Sequence, residues 1–322
     1  VGRTLVLHPG ALGDVLLSLP ALRSLHARVP EDELVLAAQP RIGRLLASLD
    51  EVDRDVALDT LGLETLFGEG EPPERLRRLA TGARVISWFG SRDEGFARRL
   101  RALAGESVVA SSTAPPGATV WEHLVASVGA LGGPGTDDAG RETMAVPESF
   151  VADGRRALAD AGWEGVRPLV LLHPGAGGAT KRWAADGFAA AAEALAESLG
   201  ADVVIHDGPA DHDAVAALRA RLRVTAGVLA EPALETLVGV MRHAAVWIGN
   251  DSGVTHLAAA VGAPTLALFI EPHLAWRPWA RQARVRVVTV ETLSRADVDS
   301  VIAEATALLR SRDARAAGGR RA

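Results

Sequence analysis

The chain has 322 residues, 48% hydrophobic and 23% charged, with a formal net charge of −6 and no cysteine. That size and apolar content suit a globular protein of two domains. The acidic balance argues against a nucleic-acid partner, and the missing cysteines exclude disulfides, thiolate metal sites and cysteine nucleophiles.

The chain enters a strand-like run at once, without a secretory leader pattern, and no stretch approaches the ~18 apolar residues of a membrane span. A cytoplasmic location is therefore expected, with peripheral contact at the inner face of the cytoplasmic membrane left open. "RTLVLH" reads as the first strand, and 13–29 as a helix, with Val15, Leu16, Leu19, Leu22 and Leu25 near helical period. "ELVLAA", the helix "RIGRLLASL", the strand "RVISWF" and the helix "WEHLVASVGALG" follow. The arginine clusters 75, 77, 78 and 98, 99, 101 read as solvated helix faces. The segment 132–147, rich in Gly, Pro, Thr and Asp, reads as a linker.

The second half repeats the pattern. "PLVLLH" leads to a helix carrying Phe188, Ala191, Leu195 and Leu199, with Gly200 as its C-cap. "DVVIHDG", a helix from Asp211, the helix "ALETLVGVMRHA", the strand "AVWIGND", the helix "THLAAAVG" and the strand "TLALF" complete the series, before a basic tail expected to fray. Alternating strands and helices of this kind imply two Rossmann-like parallel-sheet domains. They are expected to face a central cleft, with ligands at the carboxyl ends of the strands.

His-Pro-Gly ends the first strand of each half, at His8 and at His173. In "HPGAGGATKRW" small residues, Gly175 and Ala176 among them, let backbone approach a ligand. The following helix start and Lys181, beside Thr180, suit an anion. A Walker P-loop fails here, because Thr180 and Arg182 stand where glycine and a hydroxyl are needed. Neither turn carries G-x-G-x-x-G. In "GNDSGVTHL" Asp251 ends a strand, Ser252 suits a helix N-cap, Gly253 keeps backbone near a ligand, and His256 shares a helix face with Ser252. Asp14 follows the first turn at a helix start, where a carboxylate serves either the helix dipole or a general base. His8 and His173 read as packed strand-end imidazoles. No metal is expected: Asp137 and Asp138 lie in the linker, and the histidines form no tight cluster in sequence.

At "GALGDVLLSLPALRSL", "HPGAGGATKRWAADGFAAAAEAL", "DGPADHD" and "IGNDSGVTHLAAAVGAPTLALF" the chain resembles the heptosyltransferase-type glycosyltransferases of family 9. The resemblance implies a GT-B fold with an acceptor domain over 1–147, a nucleotide-sugar domain over 148–310 and a tail over 311–322. It implies inverting, metal-independent transfer of a sugar, typically heptose from ADP-heptose, to a saccharide or glycolipid acceptor such as growing lipopolysaccharide core. The nucleotide-diphosphate sugar is then a substrate, and no cofactor is expected.

By the same resemblance Asp14 is the base, Lys181 contacts phosphate, and Asp251, Ser252, Gly253 and His256 cradle the diphosphate sugar with Gly175, Ala176 and Thr180. Asp211, or its neighbour His212, matches a ribose contact, and His8, Gly10 and Gly13 belong to the acceptor-side loop. The sequence departs from the family where His8 replaces a frequent Arg or Lys, and in one extra residue between His173 and Lys181. A nucleotide-sugar epimerase of the same fold, which would consume donor alone, and a non-catalytic nucleotide-binding module are the alternatives.

Overall fold

The computed structural model describes residues 2–129 and 139–318. Part of the expected linker, with Asp137 and Asp138, lies outside the described residues. The chain divides into two compact units, Val1–Glu142 and Thr143–Ala322. Met144 belongs with the second: it is buried, and its N–H donates to the Ala260 carbonyl.

The first unit is built on five parallel strands: β1 (Arg3–Leu7), β2 (Glu33–Ala38), β3 (Arg54–Ala57), β4 (Arg84–Ser87) and β5 (Glu106–Val109). Their order is β3-β2-β1-β4-β5. The second has six: β6 (Leu169–His173), β7 (Asp202–Asp207), β8 (Ala226–Ala230), β9 (Val246–Asn250), β10 (Thr265–Phe269) and β11 (Ala283–Val287). They run β11-β10-β9-β6-β7-β8, and every pair in both sheets is parallel. Each unit thus winds outward from its first strand in both directions. The crevice between β1 and β4, and that between β6 and β9, is a topological switch point where such sheets hold ligands.

The central strands are buried on both faces, as continuous apolar runs such as "LVLLH" require. In the second unit Val170, Leu172, Ile205, Ile248 and Leu268 pack on Phe188 and Leu195 from the helix Ala185–Leu199. That helix ends at Gly200 in the left-handed region, φ 62°, as its sequence position suggested.

The helix expected over 13–29 is two helices, Leu12–Leu17 and Leu19–Arg28. Pro20 has no N–H to offer the Leu16 carbonyl, and its ring would crowd that carbonyl. The Ser18 N–H and hydroxyl both turn back to Val15 O. The first helix starts at Leu12, so Gly13, expected in the acceptor-side loop, lies inside its first turn. Of the tail expected to fray, the described residues, up to Gly318, continue the helix Arg295–Gly318. Among the described residues no helix is long and apolar enough to cross a membrane.

Candidate functional site

In the second unit the residues flanking the β6/β9 switch point form one hydrogen-bonded constellation. Asn250, the last residue of β9, is fully buried. Its side chain accepts the Trp183 N–H at 3.0 Å and donates to the Pro174 carbonyl at 2.8 Å. The amide therefore clamps both ends of the glycine-rich turn to β9. This also corrects the expectation of a helix starting straight after the turn. Ala179–Lys181 makes a single 3-10 turn, and the helix begins only at Ala185. The bond to Asn250 and the burial of the Trp183 indole draw the chain off a helical path first.

Lys181 leaves that 3-10 turn toward Asp251. Its Nζ lies 2.8 Å from Asp251 Oδ2, and His273 Nδ1 reaches the same oxygen at 3.0 Å. His256 Nε2 stands 3.7 Å from Oδ1, an ion-pair distance rather than a hydrogen bond. Asp251 is held in place by its own N–H, which donates to Leu268 O on β10. Burial alone would push its carboxyl up; His256 and the Lys181 ammonium outweigh burial and hold it at about 2. The carboxylate is ionised at any physiological pH and presents Lys181 as a fixed positive charge.

Ser252 caps the helix Gly253–Ala260, its hydroxyl accepting the Thr255 N–H at 3.3 Å. The first N–H groups of that helix have no partner within it, so its positive end lies beside Lys181 and Asp251. Here the helix dipole expected at the turn comes from a different element. Thr180, in the same 3-10 turn, is exposed. Gly175 and Ala176 are buried beneath the turn.

Asp211 lies elsewhere than with Lys181. It is tucked against the ends of β6 and β7, where His173 and His206 meet with their Nδ1 atoms 3.0 Å apart. The sequence reading found no tight histidine cluster, because these side chains are 33 residues apart. The parallel register of β6 on β7, which sets Leu172 beside Ile205, brings the next residues level. Burial pushes His173 well below the usual imidazole range and His206 to about 4, so both rings are neutral near pH 7. Burial also raises Asp211. The expectation of no metal therefore meets a buried His-His-Asp group of metal-ligating type. His212, by contrast, is exposed and shared between Asp207 and Glu231.

In the first unit His8 follows β1, is buried, and accepts the Gly10 N–H on Nδ1 at 3.1 Å. Burial lowers it to about 4, and its Nε2 has no hydrogen-bond partner. Asp14, half-buried in the first turn of its helix, accepts the Ala11 N–H at 3.2 Å. A Cβ on Gly10 would come within 2.6 Å of the His8 ring and 2.7 Å of Asp14 Cβ; glycine alone lets this turn fold between them. Beyond it lies a cavity of about 330 Å³ lined by Phe67, Trp88, Phe89, Arg92 and Ser111 among others.

Asn250 and His273 escaped the sequence reading. In sequence Asn250 has the look of a plain strand terminus. His273 had only one signal, a polar side chain shortly after a strand's carboxyl end. Trp163, Trp183 and Trp279 are buried.

Two Rossmann-type sheets in tandem, each with its polar residues at the switch point, define the GT-B class. Residues 94–301 match the family described as Glycosyltransferase family 9 (heptosyltransferase), and the chain belongs to that family. It is 26% identical to lipopolysaccharide heptosyltransferase 2 of Salmonella typhimurium strain LT2 over 289 residues, 83% of this chain and 82% of the relative. It is 33% identical to lipopolysaccharide heptosyltransferase 3 of Escherichia coli over 147 residues. That alignment covers 43% of this chain and spans only 41% of the relative's length. The structure of E. coli ADP-heptose lipopolysaccharide heptosyltransferase II superposes with a TM-score of 0.72 at 24% identity, covering 97% of this chain and 99% of that one.

Proposed function

We propose that this protein transfers a heptose, with inversion, from ADP-heptose to a hydroxyl of a lipopolysaccharide-type saccharide or glycolipid acceptor. The observation that carries this reading is the Lys181–Asp251 pair beside the Ser252-capped helix, in a chain of this family. In the proposed reaction the acceptor oxygen attacks the anomeric carbon as the bond to the diphosphate breaks, and Asp14 takes the hydroxyl proton. ADP departs with its new negative charge met by Lys181 and the positive end of the helix Gly253–Ala260. Preorganised charge of this kind stabilises the transition state without reorganisation at the moment of reaction, and the transfer step is metal-independent.

Lys181 needs its orientation fixed before substrate arrives, and Asp251 with His273 fixes it. Asp211 faces the histidine pair, so the ribose contact falls to exposed His212. The first unit's cavity, with aromatic walls and a hydroxyl-bearing rim, suits an acceptor sugar ring. Peripheral contact with the inner face of the cytoplasmic membrane follows from a glycolipid acceptor.

The test is transfer from ADP-heptose to a lipopolysaccharide core acceptor, with Asp14→Asn alongside. Asp14→Asn is expected to lower kcat by ~10²–10⁴-fold while leaving donor affinity near that of the wild type. Retained turnover in the variant rules out Asp14 as the base, and consumption of donor without acceptor turns the reading to an epimerase.

A further inference from the structure

Asp211 is the N-cap of the helix His212–Arg219, where an aspartate ordinarily accepts an N–H from the helix it begins. It makes no such bond. Its carboxylate lies instead against backbone that only glycine permits. A Cβ on Gly175 would stand 1.9 Å from Oδ1, and one on Gly208 2.6 Å from Oδ2. In that position it joins the imidazoles of His173 and His206, all three side chains buried, with one ligand atom of each within 4.8 Å of the others.

We propose that His173, His206 and Asp211 bind one divalent first-row transition ion, of the Zn(II) or Fe(II) class, that fixes the donor turn to the end of β7. Two imidazole nitrogens and a carboxylate oxygen are the donor set such ions favour, whereas Mg(II) and Ca(II) prefer oxygen alone. The 3.0 Å between the two Nδ1 atoms has the right scale. At metal–nitrogen distances of ~2.1 Å, it corresponds to an angle of roughly 90° at the ion, that of adjacent ligands in an octahedral or compressed tetrahedral site.

A simple Nδ1–H···Nδ1 hydrogen bond would account for the two rings. It would not account for the two glycines that make room for the carboxylate, which accepts the Gly208 N–H and is attracted by Arg182, yet forgoes its own helix to lie beside the rings. The nearby Arg182 guanidinium bonds to Asp213 at 2.8 Å and to Ala210 O, leaves its Nε without a hydrogen-bond partner, and reaches Asp211 through its charge alone. The ion's part is structural. Pro174 and Gly175 follow His173 directly, so an ion there secures one end of the donor turn while Asn250 secures it to β9. The site stands on the second unit alone and holds whatever sugar is transferred.

The experiment uses the full chain, stripped with a chelator and titrated with Co(II) as a spectroscopic probe and with Zn(II) by calorimetry. One equivalent should bind, with visible d–d bands that Zn(II) displaces and a raised melting temperature. His206→Gln and Asp211→Asn should each weaken binding at least ~10-fold, while the exposed His26→Gln should leave it unchanged. Absence of a stoichiometric ion in the folded wild type overturns the proposal. So does an affinity that survives both substitutions at the cluster, or that falls equally with His26→Gln. Asp211→Asn preserves side-chain shape and carries the test should loss of an imidazole disturb folding.

Discussion

Replacing Asp251 with Asn removes the charge that organises Lys181 and His273 while keeping the size of the side chain. Asp251 is 6% exposed, so solvent screens little of its interaction. Moving a carboxyl from 3.8 to about 2 corresponds to ~2.4 kcal/mol, at ~1.4 kcal/mol per tenfold change in the proton equilibrium. The folded state holds the proton more weakly than the unfolded one, so this stabilisation is complete above about pH 4. It is lost as the pH falls through about 2. Asp251→Asn should therefore lower stability by ~2.4 kcal/mol at pH 7 and by only about half as much at pH 3. Urea unfolding followed by tryptophan fluorescence reads this well, since Trp163, Trp183, Trp247, Trp276 and Trp279 lie in the second unit and only Trp88 and Trp121 in the first. A variant as stable as the wild type at pH 7, or a deficit that is the same at pH 3, would refute the argument that Lys181 and His256 outweigh burial at this carboxylate.

Two further outcomes follow from close packing and from a buried base. A Cβ on Gly239 would stand 1.7 Å from the Phe150 carbonyl oxygen, backbone that cannot swing aside, so Gly239→Ala must force apart the helices Glu148–Asp160 and Leu234–His243. The strain of ~1–3 kcal/mol or more exceeds the ~1 kcal/mol that alanine gains in helix propensity; a lower melting temperature is expected, and an unchanged or higher one contradicts the close approach. His8, lowered by burial to about 4, binds a proton more readily unfolded than folded. Stability of the first unit should hold above about pH 6.5 and fall by up to ~3 kcal/mol as the pH drops toward 4, a loss that His8→Gln should reduce; equal pH dependence in wild type and variant would show that His8 is not the titrating group.

The strands legible in the sequence and those missed divide along a physical line. "LVLLH", "AVWIGND" and "TLALF" are central strands, covered on both faces, and their composition records that burial. The four unread strands, β3, β5, β8 and β11, are the four sheet edges. All four are only partly covered; "RDVA", "ESVV" and "ARVRV" carry mixed patterns, and "AGVLA" is a short run of mostly small residues. An edge strand is specified by the neighbour it pairs with, which lies far away in the chain. Pro20 was a readable signal that the helical period of its leucines masked.

For the site, local chemistry was written in short motifs. Ser252 as a cap, Asp251 at a strand end and Lys181 in a small-residue turn each follow from a few adjacent residues, because capping and turn formation act over one helical turn of chain. The contacts that give those residues their properties do not. The Lys181–Asp251 pair spans 70 positions, the Asn250 clamp reaches back to Pro174, and His173 meets His206 only through strand register. A sequence fixes which groups are available and their local backbone. Which charges meet, which nitrogens face one another and which carboxylate abandons its own helix are set when parallel strands align, since register converts distant positions into neighbours about 5 Å apart.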